Sequence, residues 1–176
     1  VSRVENERFF IITGTAFGVH DFTWLKKHLP KDGSVALRDV TSSFAMINVC
    51  GPRSRELLQG LSEDDFGNDA FSFGQCRQVV IGYAPVLALR VTYIGELGYE
   101  LYMPPEYAAG LYESLWENGQ PLGVRNVGYR AIDSLRLEKG YCYWGAEVSP
   151  DYTPFDAGIG FAVSLDKGPF IGREAL

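Results

Sequence analysis

The sequence has few cysteines, few histidines and no excess of basic residues. Its 176 residues include three cysteines and two histidines, and its 16 Lys and Arg residues are outnumbered by 22 Asp and Glu residues. The formal net charge of −6 argues against a nucleic-acid partner, because phosphate binding needs a basic face. No glycine-rich loop between a strand and a helix offers a phosphate site either.

The cysteines and histidines do not form a recognisable metal or disulfide pattern. Cys50, Cys76 and Cys142 are odd in number, widely spaced and set in apolar or aromatic segments, which predicts free thiols in a reducing compartment. That compartment is the cytoplasm in a bacterium or the mitochondrial matrix in a eukaryote. His20 and His28 have no second ligand type at metal-binding spacing, so we interpret both as partly buried structural residues and predict no metal site.

Composition and periodicity predict a globular α+β domain. Apolar residues make up 46% of the chain and aromatic residues 14%, enough for one full core or two small packed halves. A strand that runs into a helix is predicted three times, at residues 9–29, 44–61 and 98–118. We therefore expect antiparallel sheets with packed helices, and the recurrence suggests duplicated ferredoxin-like halves.

Individual elements follow from the same patterns. Asp21 and Asn126 are predicted helix N-caps, Gly140 is predicted to end the last helix in a left-handed conformation, and the acidic stretch 62–72 is predicted to be a solvated loop. The predicted strands are 9–13, 35–40, 44–50, 76–82, 86–93 and 159–165, and the predicted helices are 21–29, 52–61, 104–119 and 127–139.

Residues 91–100 (VTYIGELGYE) predict a β-hairpin whose first strand ends at Tyr93. Period-two alternation places Glu100 on the opposite face of the second strand from its aromatic and apolar neighbours. A buried carboxylate there would need hydrogen-bond donors, which a flat heterocycle with adjacent N–H groups could supply. Alternatively, Glu96 and Glu100 are exposed hairpin charges and the tyrosines pack in the core.

The last predicted helix carries charged residues at positions 130, 133 and 136, a spacing that allows ion pairs along its exposed side. Three aromatic residues follow the helix at once: Tyr141, Tyr143 and Trp144. They could form the floor of a site for a planar anionic ligand, or they could belong to the rim of the core.

Four segments resemble the glycine-cleavage T-protein (aminomethyltransferase) family, in the family's order and spacing. They are residues 93–100 (YIGELGYE), 131–140 (AIDSLRLEKG), 153–158 (TPFDAG) and 170–176 (FIGREAL). Two further segments, 128–134 (GYRAIDS) and 143–145 (YWG), make the chain most similar to the folate-binding region of sarcosine and dimethylglycine dehydrogenases.

The resemblance implies a tetrahydrofolate site. By that resemblance Glu100 accepts hydrogen bonds from the pterin ring, Tyr93 lines the same pocket, and Tyr141 and Phe161 match further pocket aromatics, the last replacing a tryptophan common in the family. The implied chemistry is transfer of a one-carbon unit from a small N-methyl or aminomethyl amine, of the sarcosine or dimethylglycine type, to tetrahydrofolate, giving 5,10-methylenetetrahydrofolate. No membrane partner is expected.

The chain departs from the family pattern in its catalytic and tail-binding residues. The family's essential aspartate would lie before Val1, so the catalytic residue is unknown. A helix arginine of the family aligns with Ile132, which leaves Arg130 or Arg136 as possible substitutes. We expect residues 1–176 to be a folate-binding segment of a longer protein, inactive alone, with a C-terminal β-domain following it. FAD is expected only if a flavin domain precedes it.

Three functional interpretations remain open. The chain is a folate-dependent transferase domain of a flavin amine dehydrogenase, a stand-alone aminomethyltransferase acting on a lipoyl carrier protein, or a non-catalytic regulatory relative. Residues 24–32 (WLKKHLPKD) are similar to the regulatory subunit of pyruvate dehydrogenase phosphatase. Retention of both Tyr93 and Glu100 argues against the regulatory interpretation, because a protein that does not bind folate would not need them.

Overall fold

The computed structural model describes residues 1–176, which divide into two compact units. The first unit comprises Val1–Thr92 and Glu96–Asn126, and the second comprises Tyr93–Gly95 and Val127–Leu176. No helix combines the length and the apolar character needed to cross a membrane.

The first unit contains every strand and three of the four helices. Its strands are β1 (Ser2–Glu5), β2 (Arg8–Phe10), β3 (Ala45–Cys50), β4 (Cys76–Ile81), β5 (Ala84–Leu89) and β6 (Gly98–Met103). Its helices are α1 (Gly18–Lys27), α2 (Ser54–Gln59) and α3 (Ala108–Gly119), while α4 (Tyr129–Glu138) belongs to the second unit. Helices combined with antiparallel sheets confirm the predicted α+β class.

Four strands form the main sheet in the order β3-β6-β5-β4, and every neighbouring pair is antiparallel. Strands β1 and β2 form a separate two-stranded sheet. A second four-stranded sheet, which duplicated ferredoxin-like halves would require, is not among these elements.

Helices α2 and α3 cover one face of the main sheet. Each helix places leucines at helical spacing in the core beside alternate residues of β6, as its apolar periodicity predicts. The buried residues concerned are Leu57, Leu58, Leu111 and Leu115 of the helices and Tyr99, Leu101 and Met103 of β6. Tyr107, which the same periodicity assigns to the inward stripe of α3, is exposed.

The acidic stretch 62–72 completes this core, so its prediction as a solvated loop is wrong at two positions. Phe66 and Phe71 are fully buried. Their ring centroids lie 5.5 and 5.6 Å from that of Tyr99. Each buried phenylalanine contributes a large apolar area to the core. These two side chains therefore hold the loop against the sheet, although the residues around them are acidic.

The opposite face of the sheet carries a smaller apolar cluster. Leu87, Leu89 and Tyr102 are buried there, and Phe10 of β2 packs on them. This cluster matters for the candidate site because Glu100 belongs to the same sheet face as Tyr102.

Several predicted strands are shorter or missing. Residues 35–40 form no strand, and 159–165 contain the 3₁₀ turn Gly160–Ala162 and the first residue of a second such turn instead. The run 9–13 is strand only as far as Phe10, whereas the polar segment of β1 is a strand that the sequence did not predict. An apolar run forms a strand only where an adjacent strand offers backbone N–H and C=O groups for hydrogen bonding. The periodicity of the sequence does not reveal which segment that adjacent strand is.

Both predicted N-caps are wrong. Asp21 lies in the first turn of α1, which Phe17 caps, and α4 begins after Gly128. Asn126 instead donates a hydrogen bond of 2.8 Å to the hydroxyl of Tyr112. The predicted left-handed glycine at the end of α4 is confirmed, since Gly140 has φ +72°.

Candidate functional site

Glu100 lies in the middle of β6, opposite Asn48 on β3 and Leu89 on β5. Its side chain is partly exposed. The hydroxyl of Tyr102, two residues along the strand, donates a hydrogen bond of 2.7 Å to Oε2 of Glu100. The predicted placement of Glu100 on the face away from the main core is therefore confirmed.

Tyr102 is held firmly in place. It is buried, and the ring of Phe10 meets its ring edge-on at 5.4 Å between centroids. Burial, followed by the hydrogen bond to Glu100, raises the pKa of the Tyr102 hydroxyl well above its usual range. Tyr102 therefore remains a donor, fixing one carboxylate oxygen of Glu100 while Oε1 keeps its acceptor capacity.

Gly98 allows β6 to approach β3 closely. A Cβ atom at this position would lie 2.8 Å from Cβ of Cys50 and 2.9 Å from the carbonyl oxygen of Val49, its neighbours on β3. A larger residue would push the two strands apart just before Glu100.

Tyr93 does not end a strand, which corrects the predicted hairpin. Strand β5 ends at Leu89, and its pairing with β6 ends where Leu89 faces Glu100. Beyond that pair the chain enters the second unit, where the Tyr93 hydroxyl donates 2.6 Å to the carbonyl oxygen of Cys142. Burial is the largest cause of the raised pKa of Tyr93. The charge of Arg136 lowers this pKa, whereas the charge of Glu147 raises it.

The rings of Tyr93 and Tyr141 form a stacked pair within the second unit. Their centroids are 6.2 Å apart and their planes are inclined by 30°. Tyr93 is 40% exposed and Tyr141 41% exposed, so both rings keep accessible surface. We call these two residues the tyrosine pair. Exposed aromatic faces of this kind can receive another flat ring.

Arg136 is buried, although the helix spacing predicted an exposed ion pair. The residue is 3% exposed. Its Nε donates 2.8 Å to Oδ1 of Asp133, as the spacing predicts, and its Nη1 donates 2.8 Å to Oε2 of Glu147. The hydrogen bond from Arg136, then that from the Tyr143 amide, holds the pKa of Glu147 below its usual range.

Glu147 is the residue of this network that sequence reasoning missed. It is eleven positions from Arg136 and outside α4, so no helical spacing relates the two residues. A buried arginine with a distant partner leaves no periodic signal in the sequence.

The remaining predicted site residues stand apart from this network. Arg130 is exposed on α4 and forms no ion pair. Phe161 lies in the 3₁₀ turn Gly160–Ala162, is 90% exposed and has no ring partner. Thus the second unit brings together Tyr93, Tyr141 and Arg136, while Glu100 belongs to the first unit.

No group of three or more His, Cys, Asp or Glu side chains is placed to hold a metal ion. His20 and His28 are both exposed, so their prediction as partly buried residues is wrong. The three cysteines are unpaired thiols, and burial raises the pKa of Cys50 and of Cys76. A raised pKa disfavours the reactive thiolate form of Cys50 and Cys76.

Comparison with known proteins identifies the family. The model of the GCVT N-terminal domain matches residues 1–167. The chain is 39% identical to the pyruvate dehydrogenase phosphatase regulatory subunit of Mus musculus, covering 100% of the chain and 20% of that protein. It is 37% identical to dimethylglycine dehydrogenase of Homo sapiens, covering 100% of the chain and 21% of that protein.

An aminomethyltransferase of Chlorobium phaeobacteroides is 35% identical, over 99% of the chain and 48% of that enzyme. Among solved structures, the glycine cleavage system aminomethyltransferase T from Bartonella henselae matches with a TM-score of 0.69 and 29% identity. That match covers 90% of the chain and 42% of the solved chain. The chain thus spans about a fifth of the regulatory and dehydrogenase relatives and about half of the aminomethyltransferase.

Proposed function

The chain belongs to the GCVT N-terminal domain family, and on that premise we propose that it binds tetrahydrofolate for one-carbon transfer. The donor would be a small N-methyl or aminomethyl amine. Similarity to dimethylglycine and sarcosine dehydrogenases and to an aminomethyltransferase supports this proposal. The single observation that carries it is the partly exposed Glu100 carboxylate, which has one oxygen held by Tyr102 and the other left to accept.

The carboxylate suits the pterin ring of tetrahydrofolate. The ring presents an amino group and a neighbouring N–H, both donors, and Glu100 offers acceptors that a fixed tyrosine keeps in one orientation. A charge-assisted hydrogen bond to a partly buried carboxylate is the strong kind. The residue therefore fits the group that the family implies.

The aromatic side chains suit the flat parts of the same molecule. Tyr93 and Tyr141 keep accessible surface, and Phe161 offers a third, exposed ring that has no ring partner. We propose these three residues as further folate contacts.

For the anionic tail of folate we propose Arg130. The guanidinium of Arg136 is already committed to Asp133, Glu147 and a backbone carbonyl, so it has little capacity for another anion. Arg130 is exposed and has no ion-pair partner.

Tetrahydrofolate would supply the nitrogen nucleophile that captures the one-carbon unit at the formaldehyde level, as an iminium, giving 5,10-methylenetetrahydrofolate and releasing the amine. With an N-methyl donor, the two-electron oxidation to the iminium would fall to the FAD of the proposed preceding domain. The residues described here would bind and orient it, which raises the effective concentration of the reacting groups. None of them is assigned as the acid or base of the reaction, and the aspartate expected before Val1 remains the candidate for that role.

We propose a flavin amine dehydrogenase as the context of this domain, with FAD bound by a domain that precedes it. The relatives that support this context are the dimethylglycine and sarcosine dehydrogenases and a 4-methylaminobutanoate oxidase that is 38% identical to the chain. A stand-alone aminomethyltransferase is the alternative within the same chemistry.

A regulatory, non-catalytic role is the second candidate function. Its support is the 39% identity to the phosphatase regulatory subunit, as high as the identity to any of the dehydrogenases named here. The two candidates differ in one measurable property, because the transferase must bind tetrahydrofolate with Glu100.

Calorimetric titration of tetrahydrofolate into the full-length protein separates the two candidates. We expect micromolar binding that Glu100→Gln weakens by about 1.5–3 kcal/mol, the scale of a hydrogen bond to a charged group. Glu113→Gln, on the exposed side of α3, is the matched control and should leave the affinity unchanged. No binding by the folded wild-type protein would favour the regulatory role, and equal affinity in Glu100→Gln would remove Glu100 from the site.

A further inference from the structure

Arg136 is an unusual side chain for the end of an otherwise exposed helix. It is 3% exposed, its guanidinium lies 5.5 Å from the ring centroid of Tyr143, and two carboxylates bond to it. A buried arginine is tolerated only when its donors are satisfied, and one carboxylate would already neutralise its charge. Charge neutralisation therefore does not explain the second carboxylate.

Those contacts converge on the backbone that follows α4. Nη1 of Arg136 donates 2.9 Å to the carbonyl oxygen of Tyr141, and the Tyr141 amide donates 2.9 Å back to the carbonyl oxygen of Arg136. Oε2 of Glu147 accepts from Arg136 and also, at 2.7 Å, from the Tyr143 amide. Arg136 and Glu147 together thus hold the backbone of 141–143 from two sides.

The same short segment holds the tyrosine pair. Tyr141 is part of it, and the hydroxyl of Tyr93 is bonded to the carbonyl oxygen of Cys142 within it. Any shift of this backbone moves one ring directly and the other through its hydrogen bond.

We propose that Arg136 and Glu147 are positioning residues that set the spacing and tilt of the tyrosine pair for a flat ligand. The inference rests on the proposed function, since it assigns tetrahydrofolate as that ligand. It assigns Arg136 a role through the two rings and not through direct contact with the folate tail.

A double-mutant cycle in the full-length protein tests this role. Arg136→Lys keeps the charge but cannot bond both carboxylates and the carbonyl at once, and Tyr141→Leu removes one ring. We expect each single variant to weaken tetrahydrofolate binding by about tenfold. In the Tyr141→Leu background, Arg136→Lys should weaken binding further by less than about twofold. A merely structural role would give additive losses instead.

Near-ultraviolet circular dichroism provides a second readout that does not use the ligand. Stacked tyrosines contribute to this spectrum, so Arg136→Lys should reduce the tyrosine band in the same way as Tyr141→Leu. Arg53→Lys is the control, because Arg53 forms a comparable but exposed ion pair with Glu56 in the first unit. The control should change neither the spectrum nor the affinity.

If Arg136→Lys fails to fold, Glu147→Gln replaces it in the cycle, because this variant preserves the shape of the side chain. Additive losses, full affinity in Arg136→Lys or full affinity in Tyr141→Leu would each overturn the inference while leaving tetrahydrofolate binding itself intact. Full affinity in Tyr141→Leu would also remove Tyr141 from the proposed folate contacts. Absence of tetrahydrofolate binding in the wild-type protein would overturn both the inference and the proposed function.

Discussion

The hydroxyl of Tyr102 donates a hydrogen bond of 2.7 Å to Oε2 of Glu100, its neighbour on the same face of β6. The donor is buried beneath Phe10, whereas the acceptor is partly exposed, so the pair connects the packed interior of the first unit to its surface. This bond leaves the carboxylate one preferred orientation.

Tyr102→Phe keeps the buried ring and removes only the donor. We expect the free energy of tetrahydrofolate binding to become less favourable by about 1 kcal/mol, the usual net value of one hydrogen bond. The free energy of unfolding should fall by about the same amount. Calorimetry and urea denaturation measure the two effects. Tyr83→Phe, at a residue that is 97% exposed, is the control and should change neither. An unchanged affinity in Tyr102→Phe would show that the orientation of Glu100 does not matter for binding.

Arg130→Ala should reduce the preference of the protein for polyglutamylated over monoglutamyl folate, because the tail would lose its cationic partner. The measurement is the ratio of the two affinities. Arg125→Ala removes an exposed arginine of the first unit and serves as the control. If the ratio is the same in both variants, the folate tail is held by other residues.

Phe66→Ala should destabilise the first unit by about 3–5 kcal/mol, the range for removing a buried phenylalanine. Phe66 is fully buried against Phe71 and Tyr99, even though its sequence neighbours are acidic. Urea denaturation measures the change, and Phe73→Ala, at a residue 75% exposed, should cost less than about 0.5 kcal/mol. Equal losses in the two variants would contradict the role of the loop in the core.

Gly98→Ala should destabilise the protein by about 1–3 kcal/mol, the usual effect of overpacking. The added methyl group would lie 2.8 Å from Cβ of Cys50 and 2.9 Å from a backbone oxygen of β3, so the strands must separate. The control is Gly110→Ala on α3, where the space is open and helix propensity predicts a gain of about 0.5–1 kcal/mol. The free energy of unfolding should therefore fall in Gly98→Ala and rise in Gly110→Ala. A Gly98→Ala variant as stable as the wild type would show that β3 and β6 can adjust.

The Arg136–Glu147 pair should make the backbone of 141–143 sensitive to acid. The hydrogen bonds from Arg136 and the Tyr143 amide lower the pKa of Glu147 from its ordinary value of 4.5. A group with a lowered folded-state pKa contributes stability that is fully present above 4.5 and is lost as the pH falls through the lowered pKa.

Hydrogen exchange of the Tyr143 amide, corrected for its intrinsic rate, measures this effect. Protection should fall below pH 4.5 in the wild-type protein and should be lower and nearly independent of pH in Glu147→Gln. Glu113→Gln should behave as the wild type does. A wild-type profile that stays flat down to pH 3 would show that Glu147 is not the titrating group.

Local patterns in the sequence determined part of the fold and the face that carries Glu100. The apolar spacing of α2 and α3, the alternation along β6 and the glycine after α4 are properties of neighbouring residues, and each is confirmed. The segments shared with the T-protein family also identify the family correctly. Such features require only the helix and strand periods and the conformational freedom of glycine.

Tertiary structure alone decided the partners of the other residues. Phe66 packs in the core against Tyr99, which is 33 residues away, and the hydroxyl of Tyr93 donates a hydrogen bond to a carbonyl oxygen 49 residues away. Arg136 is buried because Glu147 reaches it from a turn beyond its helix. Burial and hydrogen bonding depend on which residues, distant in the sequence, come into contact in the folded chain. The periodicity of the sequence does not reveal those contacts.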